Sequence, residues 1–147
     1  MTIKDRISSD IKAAMLAKDK ELLSTLRLIA AAIKQVEVDE RIEVDDARML
    51  IILDKMSKQR KESIAQFEKA NRQDLVQQEQ TELLVIGKYL PEPLSEAEVV
   101  ALLDEAITAT SAQKMADMGK VMAYIKPKIQ GRADLTQVSA LIKAKLS

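Results

Sequence analysis

Lys120 and Tyr124 stand four residues apart, just after Asp117-Met118-Gly119. If Met118 lies at the centre of a buried helical face, a turn of about 100° per residue puts both on the opposite face. An exposed ammonium beside an aromatic ring suits nucleic-acid contact. The cation meets a phosphate, and the ring stacks on a base or ribose. The other open reading is a surface lysine whose stem covers a half-buried ring. Gly119 costs helix stability relative to alanine and permits close approach by a neighbouring helix or a ligand. Pro127, late in the same helix, predicts a kink or a tightened turn near residues 124–126. That bend would carry Lys126, Lys128 and Arg132 round a corner and leave them exposed near one another. Alternatively, Gly131-Arg132-Ala133-Asp134 is a helix–helix turn in which Asp134 caps the next helix and Arg132 is solvated.

A second basic group, Lys55, Lys58, Arg60 and Lys61, lies in the middle of a long amphipathic stretch. It reads either as a solvated face paired with Asp54 and Glu62 or as a phosphate-contacting patch. From Lys114 onward, seven cations (Lys114, Lys120, Lys126, Lys128, Arg132, Lys143, Lys145) stand against Asp117 and Asp134, an excess of five. The whole chain has no net charge, which does not indicate a strongly basic nucleic-acid binder. The catalytic constellations are missing. There is no His and no Cys, so no imidazole base, thiolate or Ser-His-Asp set is available. Gly87, Gly119 and Gly131 are isolated and form no phosphate loop. Asp45-Asp46 and Asp104-Glu105 read as solvated helix residues, and Ser57-Lys58 alone is a weak nucleophile signal. We assign no catalytic residue, metal ligand or cofactor.

The elements that position these residues are helices. Ala, Leu, Lys, Glu, Gln and Met dominate, with only 3 Gly, 3 Pro, 1 Phe, 2 Tyr and no Trp among 147 residues, a composition that favours helices over strands. The fold class is all-α, an N-terminal multi-helix domain followed by a small three-helix C-terminal domain. Apolar periodicity predicts helices over about residues 3–17, 21–36, 47–70 and 74–89. Thr2 is the first N-cap, Asp45 or Asp46 caps the third helix and Asp74 opens the fourth. Residues 18–20 break the first two helices apart, and the acidic stretch 37–46 reads as a loop. Pro91 and Pro93 end the run, which sets domains at 1–92 and 93–147. Ser95 and Glu98 form a capping box. After a polar loop at 108–113, Asp117 caps a helix that ends at Gly131. Asp134 and Gln137 resemble a further box. The N-terminus carries Lys4, Asp5 and Arg6 rather than an apolar leader, and no apolar run approaches the about 18 residues of a membrane span. With no cysteine as well, the expected location is cytoplasmic, with no membrane association.

The order and spacing of several short motifs resemble those of GatB/YqeY proteins, in their stand-alone YqeY-like branch. The motifs are Asp117-Met118-Gly119-Lys120-Val121-Met122, Pro127-Lys128, Gly131-Arg132-Ala133-Asp134 and Val138-Ser139. Upstream, Leu26-Arg27-Leu28-Ile29, Ala32-Ile33-Lys34, Lys58-Gln59-Arg60-Lys61-Glu62-Ser63-Ile64, Phe67, Ala70-Asn71-Arg72, Asp74-Leu75, Glu79, Glu82 and Tyr89-Leu90-Pro91 also match. Leu135 departs from the usual Gly after the Asp. The resemblance covers essentially the whole chain. It implies a helical N-terminal domain and a tail like the one that closes the GatB component of the glutamine-dependent tRNA amidotransferase. There the tail contacts tRNA while other domains carry the chemistry. A family label of carbon–nitrogen ligase with glutamine as amido donor would therefore come from the larger enzyme.

The resulting expectation is a tRNA-binding or tRNA-enzyme accessory protein without its own catalytic centre. Lys120, Lys126, Lys128, Arg132 and Lys143 would meet phosphates, Tyr124 would stack, and Lys58, Arg60 and Lys61 would add a second patch. The candidate partners are tRNA and a tRNA-dependent enzyme or other protein. The alternative is a helical protein–protein interaction adaptor with several methionines for docking. An independent enzyme is the least supported reading.

Overall fold

Thr2 starts the first helix as the sequence requires. Its hydroxyl accepts from the Asp5 N–H at 3.1 Å, and the Asp5 carboxylate accepts from the Thr2 N–H at 3.3 Å, so two of the free donors at a helix start are satisfied. In a computed structural model describing all residues from Met1 to Ser147, seven α-helices and one 3₁₀ turn account for the regular structure, without strands. They fall into two compact units, Met1–Leu90 and Pro91–Ser147.

The first unit holds α1 (Ile3–Ala17), α2 (Lys20–Glu40), α3 (Asp46–Lys69) and α4 (Gln73–Gly87). Its core joins Ile7 of α1, Leu26, Ile29 and Ile33 of α2, Met49, Ile52, Leu53 and Met56 of α3, and Val85 and Ile86 of α4. Left-handed Lys18 closes α1, and Asp19 caps α2 by accepting from the Leu22 N–H at 3.2 Å. The acidic stretch differs from expectation, because its first half is helix. Glu37 accepts from Lys4 Nζ at 2.6 Å and from the Val44 N–H at 3.0 Å, and these bonds hold its carboxyl below the usual carboxylate range. Asp39 accepts from Gln35 at 2.8 Å, and Glu40 pairs with Arg48. With partners for these carboxylates, α2 runs four residues past Val36. Asp45 caps α3 by accepting from the Arg48 N–H at 2.9 Å. Asp74 does not open α4. It lies in the first turn, in a two-pronged pair with the guanidinium of Arg72 at 3.0 and 3.2 Å.

Tyr89, just past α4, is buried. Its hydroxyl donates to the Asp10 carboxylate, and the Arg6 guanidinium lies 5.3 Å from the ring centroid. Burial first, and then the bond to Asp10, push the phenol above its ordinary value of 10.0. A raised folded-state value stabilises the fold below the unfolded pKa and loses that contribution as pH rises through the folded value. Stability should therefore decline above about pH 10. Tyr89→Phe should cost about 1–2 kcal/mol at neutral pH and flatten the alkaline decline. Urea unfolding across pH 8–11 checks both.

The second unit holds α5 (Glu96–Thr110), a 3₁₀ turn (Met115–Asp117), α6 (Met118–Ile129) and α7 (Leu135–Leu146). Ser95 and Glu98 make the expected capping box, at 3.2 and 3.3 Å. Val99, Leu103 and Ala106, Val121, Ile125 and Ile129, and Val138, Ile142 and Leu146 form the core. Asp117 stands at the N-cap position of α6, but its side chain makes no capping bond to that helix. Its carboxylate reaches back to the Gln113 N–H at 3.0 Å, tightening the loop before the helix. α6 stays α-helical through Pro127 to Ile129, so the proline does not end the helix. The carbonyl left without its usual donor, four residues back at Ala123, belongs to an exposed residue that water can reach. Gly131 has φ 76, a left-handed turn that favours glycine. Asp134 caps α7 through the Thr136 N–H at 2.8 Å, without a reciprocal bond from Gln137. Leu135 begins α7 and packs on the core.

Candidate nucleic-acid interface

The predicted pair of Lys120 and Tyr124 is replaced by a different one. Tyr124 is half-buried and packed against the core. Lys128, one turn on, sits with Nζ 4.4 Å from the ring centroid and 3.2 Å from the hydroxyl. Across from them on α5, Glu105 accepts from the Tyr124 hydroxyl at 3.0 Å and from Lys128 Nζ at 3.2 Å. The bond from Lys128, then that from Tyr124, hold the Glu105 carboxyl below its usual range. The bonds to Tyr124 and Glu105 raise the Lys128 ammonium. The covered-ring reading is therefore the observed one, with Lys128 rather than Lys120 as the cover. A ring with its back in the core and a lysine on its face offers no open stacking surface.

Arg132 is neither a free phosphate ligand nor merely solvated. Its Nε donates to the Glu92 carbonyl at 3.0 Å, and its own carbonyl accepts from the Leu94 N–H at 2.9 Å. It fastens the extended entry to α5 onto the α6–α7 turn. Lys128 and Arg132 thus have separate duties, and the expected open cluster with Lys126 is not formed. Three of the tail cations predicted to meet phosphates remain available. Lys126 and Lys143 are exposed and make no ion pair. Lys120 is also exposed, with only a loose 3.8 Å approach to Asp117. Nothing lies within 4 Å of a Cβ built on Gly119, so no neighbouring helix requires a glycine there.

The α3 patch divides in a similar way. Lys58 pairs with Asp54 one turn earlier at 3.2 Å, and Lys61 is exposed without an ion pair. Arg60 turns inward to Glu82 of α4, with Nε 3.4 Å from Oε2 and side-chain exposures of 16 % and 12 %. Glu79 lies close enough that burial first, and then the Glu82 charge, raise its carboxyl above the ordinary value. Arg60 is a structural counter-charge and is removed from the candidate interface.

The acidic residues facing the tail cations carry no local sequence signal. Asp104 and Glu105 are adjacent on α5 and look solvated in the linear chain, yet Asp104 holds Lys145 at 2.8 Å and Glu105 holds Lys128. Only the packing of α5 beside α6 and α7 brings them there. No group of three or more Asp or Glu side chains is placed to hold a metal ion, and no helix is long and apolar enough to cross a membrane.

Fold and surface together define an all-helical chain with a few open cations. The sequence profile of the family described as Yqey-like protein matches residues 4–146, so the chain belongs to that family. It is 33 % identical over 143 residues to a Lachancea thermotolerans protein named altered inheritance of mitochondria protein 41, mitochondrial, covering 92 % of this chain and 76 % of that one. A Pyrenophora tritici-repentis protein of the same name is 32 % identical over 130 residues, with 87 % and 71 % coverage. An Eremothecium gossypii protein of that name is 40 % identical over 102 residues, with 68 % and 56 % coverage. The expectation of a cytoplasmic location is corrected by these names, which call the relatives mitochondrial. Charged residues at Lys4, Asp5 and Arg6 do not specify the cytoplasm.

Proposed function

We propose that this protein is an RNA-contacting accessory module, with tRNA as its ligand and no catalytic centre of its own. The observation carrying this reading is the availability of Lys120, Lys126 and Lys143 on the three-helix unit, exposed and free of close ion pairs. The choice of tRNA rests on the likeness of this tail to the tail of the amidotransferase's GatB component. Lys61, and Lys58 once it leaves Asp54, offer a second contact on the first unit.

Three phosphate contacts, each contributing a slope of about −0.9 in log affinity against log salt, weaken binding about 40-fold between about 50 and 200 mM salt. Fluorescence anisotropy with labelled tRNA should show that fall. The Lys120→Ala, Lys126→Ala, Lys143→Ala triple variant should bind weakly at both salt concentrations, with most of the slope lost. Wild-type protein that leaves tRNA free at low salt rejects the reading.

The adaptor reading keeps one specific support. Leu84 is 72 % exposed at the edge of a groove of about 690 Å³ that Leu22, Leu83 and Val85 also line. Apolar side chains that join into one exposed patch suit the docking of a partner, whereas a single exposed leucine does not. Purification with a bound protein and no RNA, lost on Leu84→Glu, would favour it.

A further inference from the structure

We propose that Glu105 is a built-in competitor for phosphate, holding Lys128 and Tyr124 closed in the free protein until an RNA phosphate takes its place. The proposal rests on the RNA-contacting reading above and assigns that interface its regulation. One oxygen of Glu105 receives both the Tyr124 hydroxyl at 3.0 Å and Lys128 Nζ at 3.2 Å. The same ammonium lies 4.4 Å from the centre of the Tyr124 ring. A single carboxylate thus occupies a cation and, through it, shields the exposed part of an aromatic surface.

The latch is of a kind that can open. Glu105 and Lys128 have side-chain exposures of 52 % and 41 %, and ion pairs that exposed contribute little net stability. Lysine ends in a flexible stem with three donors, so its ammonium can swing to a phosphate without moving α6. Lys120, on the same face of α6 as Tyr124 and Lys128, is 69 % exposed with only a loose approach to Asp117, so the first phosphate contact can be made with the latch closed. The adjacent α5 carboxylate, Asp104, is held by Lys145 at 2.8 Å and is not free to replace Glu105. Release of Lys128 adds one cation to the interface and uncovers the exposed part of the Tyr124 ring.

Glu105→Gln removes the charge and keeps the shape, so it tests the latch directly. Against labelled tRNA it should tighten binding about three- to fivefold, the size of one exposed ion pair. The salt slope should steepen by about one contact. Added to Lys128→Met, the same substitution should give no gain, because the released cation is absent. A Glu105→Gln variant no tighter than a wild-type protein that does bind tRNA overturns the latch and leaves the RNA reading standing. A gain that persists in the Lys128→Met background also overturns it, since that gain would be general charge repulsion. If neither protein binds tRNA, the RNA reading itself fails and takes the latch with it.

Discussion

Ile125→Ala should destabilise the three-helix unit by about 3–4 kcal/mol. Ile125 has no exposed surface and sits among Leu103 of α5, Val121 and Ile129 of α6 and Ile142 of α7. The substitution removes buried methyl and methylene groups and leaves a cavity that three short helices can close only partly. A unit of this length holds on the order of 3–8 kcal/mol in total. The loss is therefore a large fraction of what keeps it folded. The two cores share no residue, so the damage should be regional. Amide hydrogen exchange followed by NMR should show protection falling steeply in α5, α6 and α7 while the central turns of α1 to α4 keep most of theirs. An even loss across all seven helices would contradict the separation into two cores.

Arg60→Met should cost about 2–3 kcal/mol at pH 7, because it leaves the Glu82 carboxylate buried without its counter-charge. Combining Arg60→Met with Glu82→Leu should recover most of the loss, since apolar packing then replaces the ion pair. The pH dependence follows from Glu79. Its carboxyl is raised above 4.5 by burial and by Glu82, and Arg60 opposes that rise. Removing Arg60 raises it further. A carboxyl raised on folding stabilises the fold below its unfolded value and loses that contribution as pH climbs through the folded value. The deficit of the single variant should therefore be largest near neutrality and shrink as pH falls toward about 4.5. Urea unfolding at the two pH values measures it. Under conditions where the variant stays folded, its tRNA affinity should match that of the wild type, since Arg60 faces Glu82 and not solvent.

Much of the fold is legible in the sequence because its signals are local. Thr2, Asp45, and Ser95 with Glu98 mark helix starts by hydrogen bonds to N–H groups three residues on. Ile7, Leu26, Ile29 and Leu103, among the apolar residues that set the helical periods, are buried. The failures share a cause. The acidic residues 37–40 read as a loop because their partners Lys4 and Arg48 are brought in by other helices. Asp117 and Asp74 are good caps by type, yet each has a different partner, Gln113 for the first and Arg72 for the second.

By itself the sequence determined an all-helical chain of the YqeY-like family, several of its helix starts and many of the residues of its two cores. Those features depend on backbone hydrogen bonds and apolar spacing within a few residues. The surface was decided by tertiary structure. The basic end beginning at Lys114 is a run of free cations only in the linear chain. Once folded, α5 lays Asp104 against Lys145 and Glu105 against Lys128. Lys120, Lys126 and Lys143 are left to meet an anion because no carboxylate from a neighbouring helix is close enough to claim them.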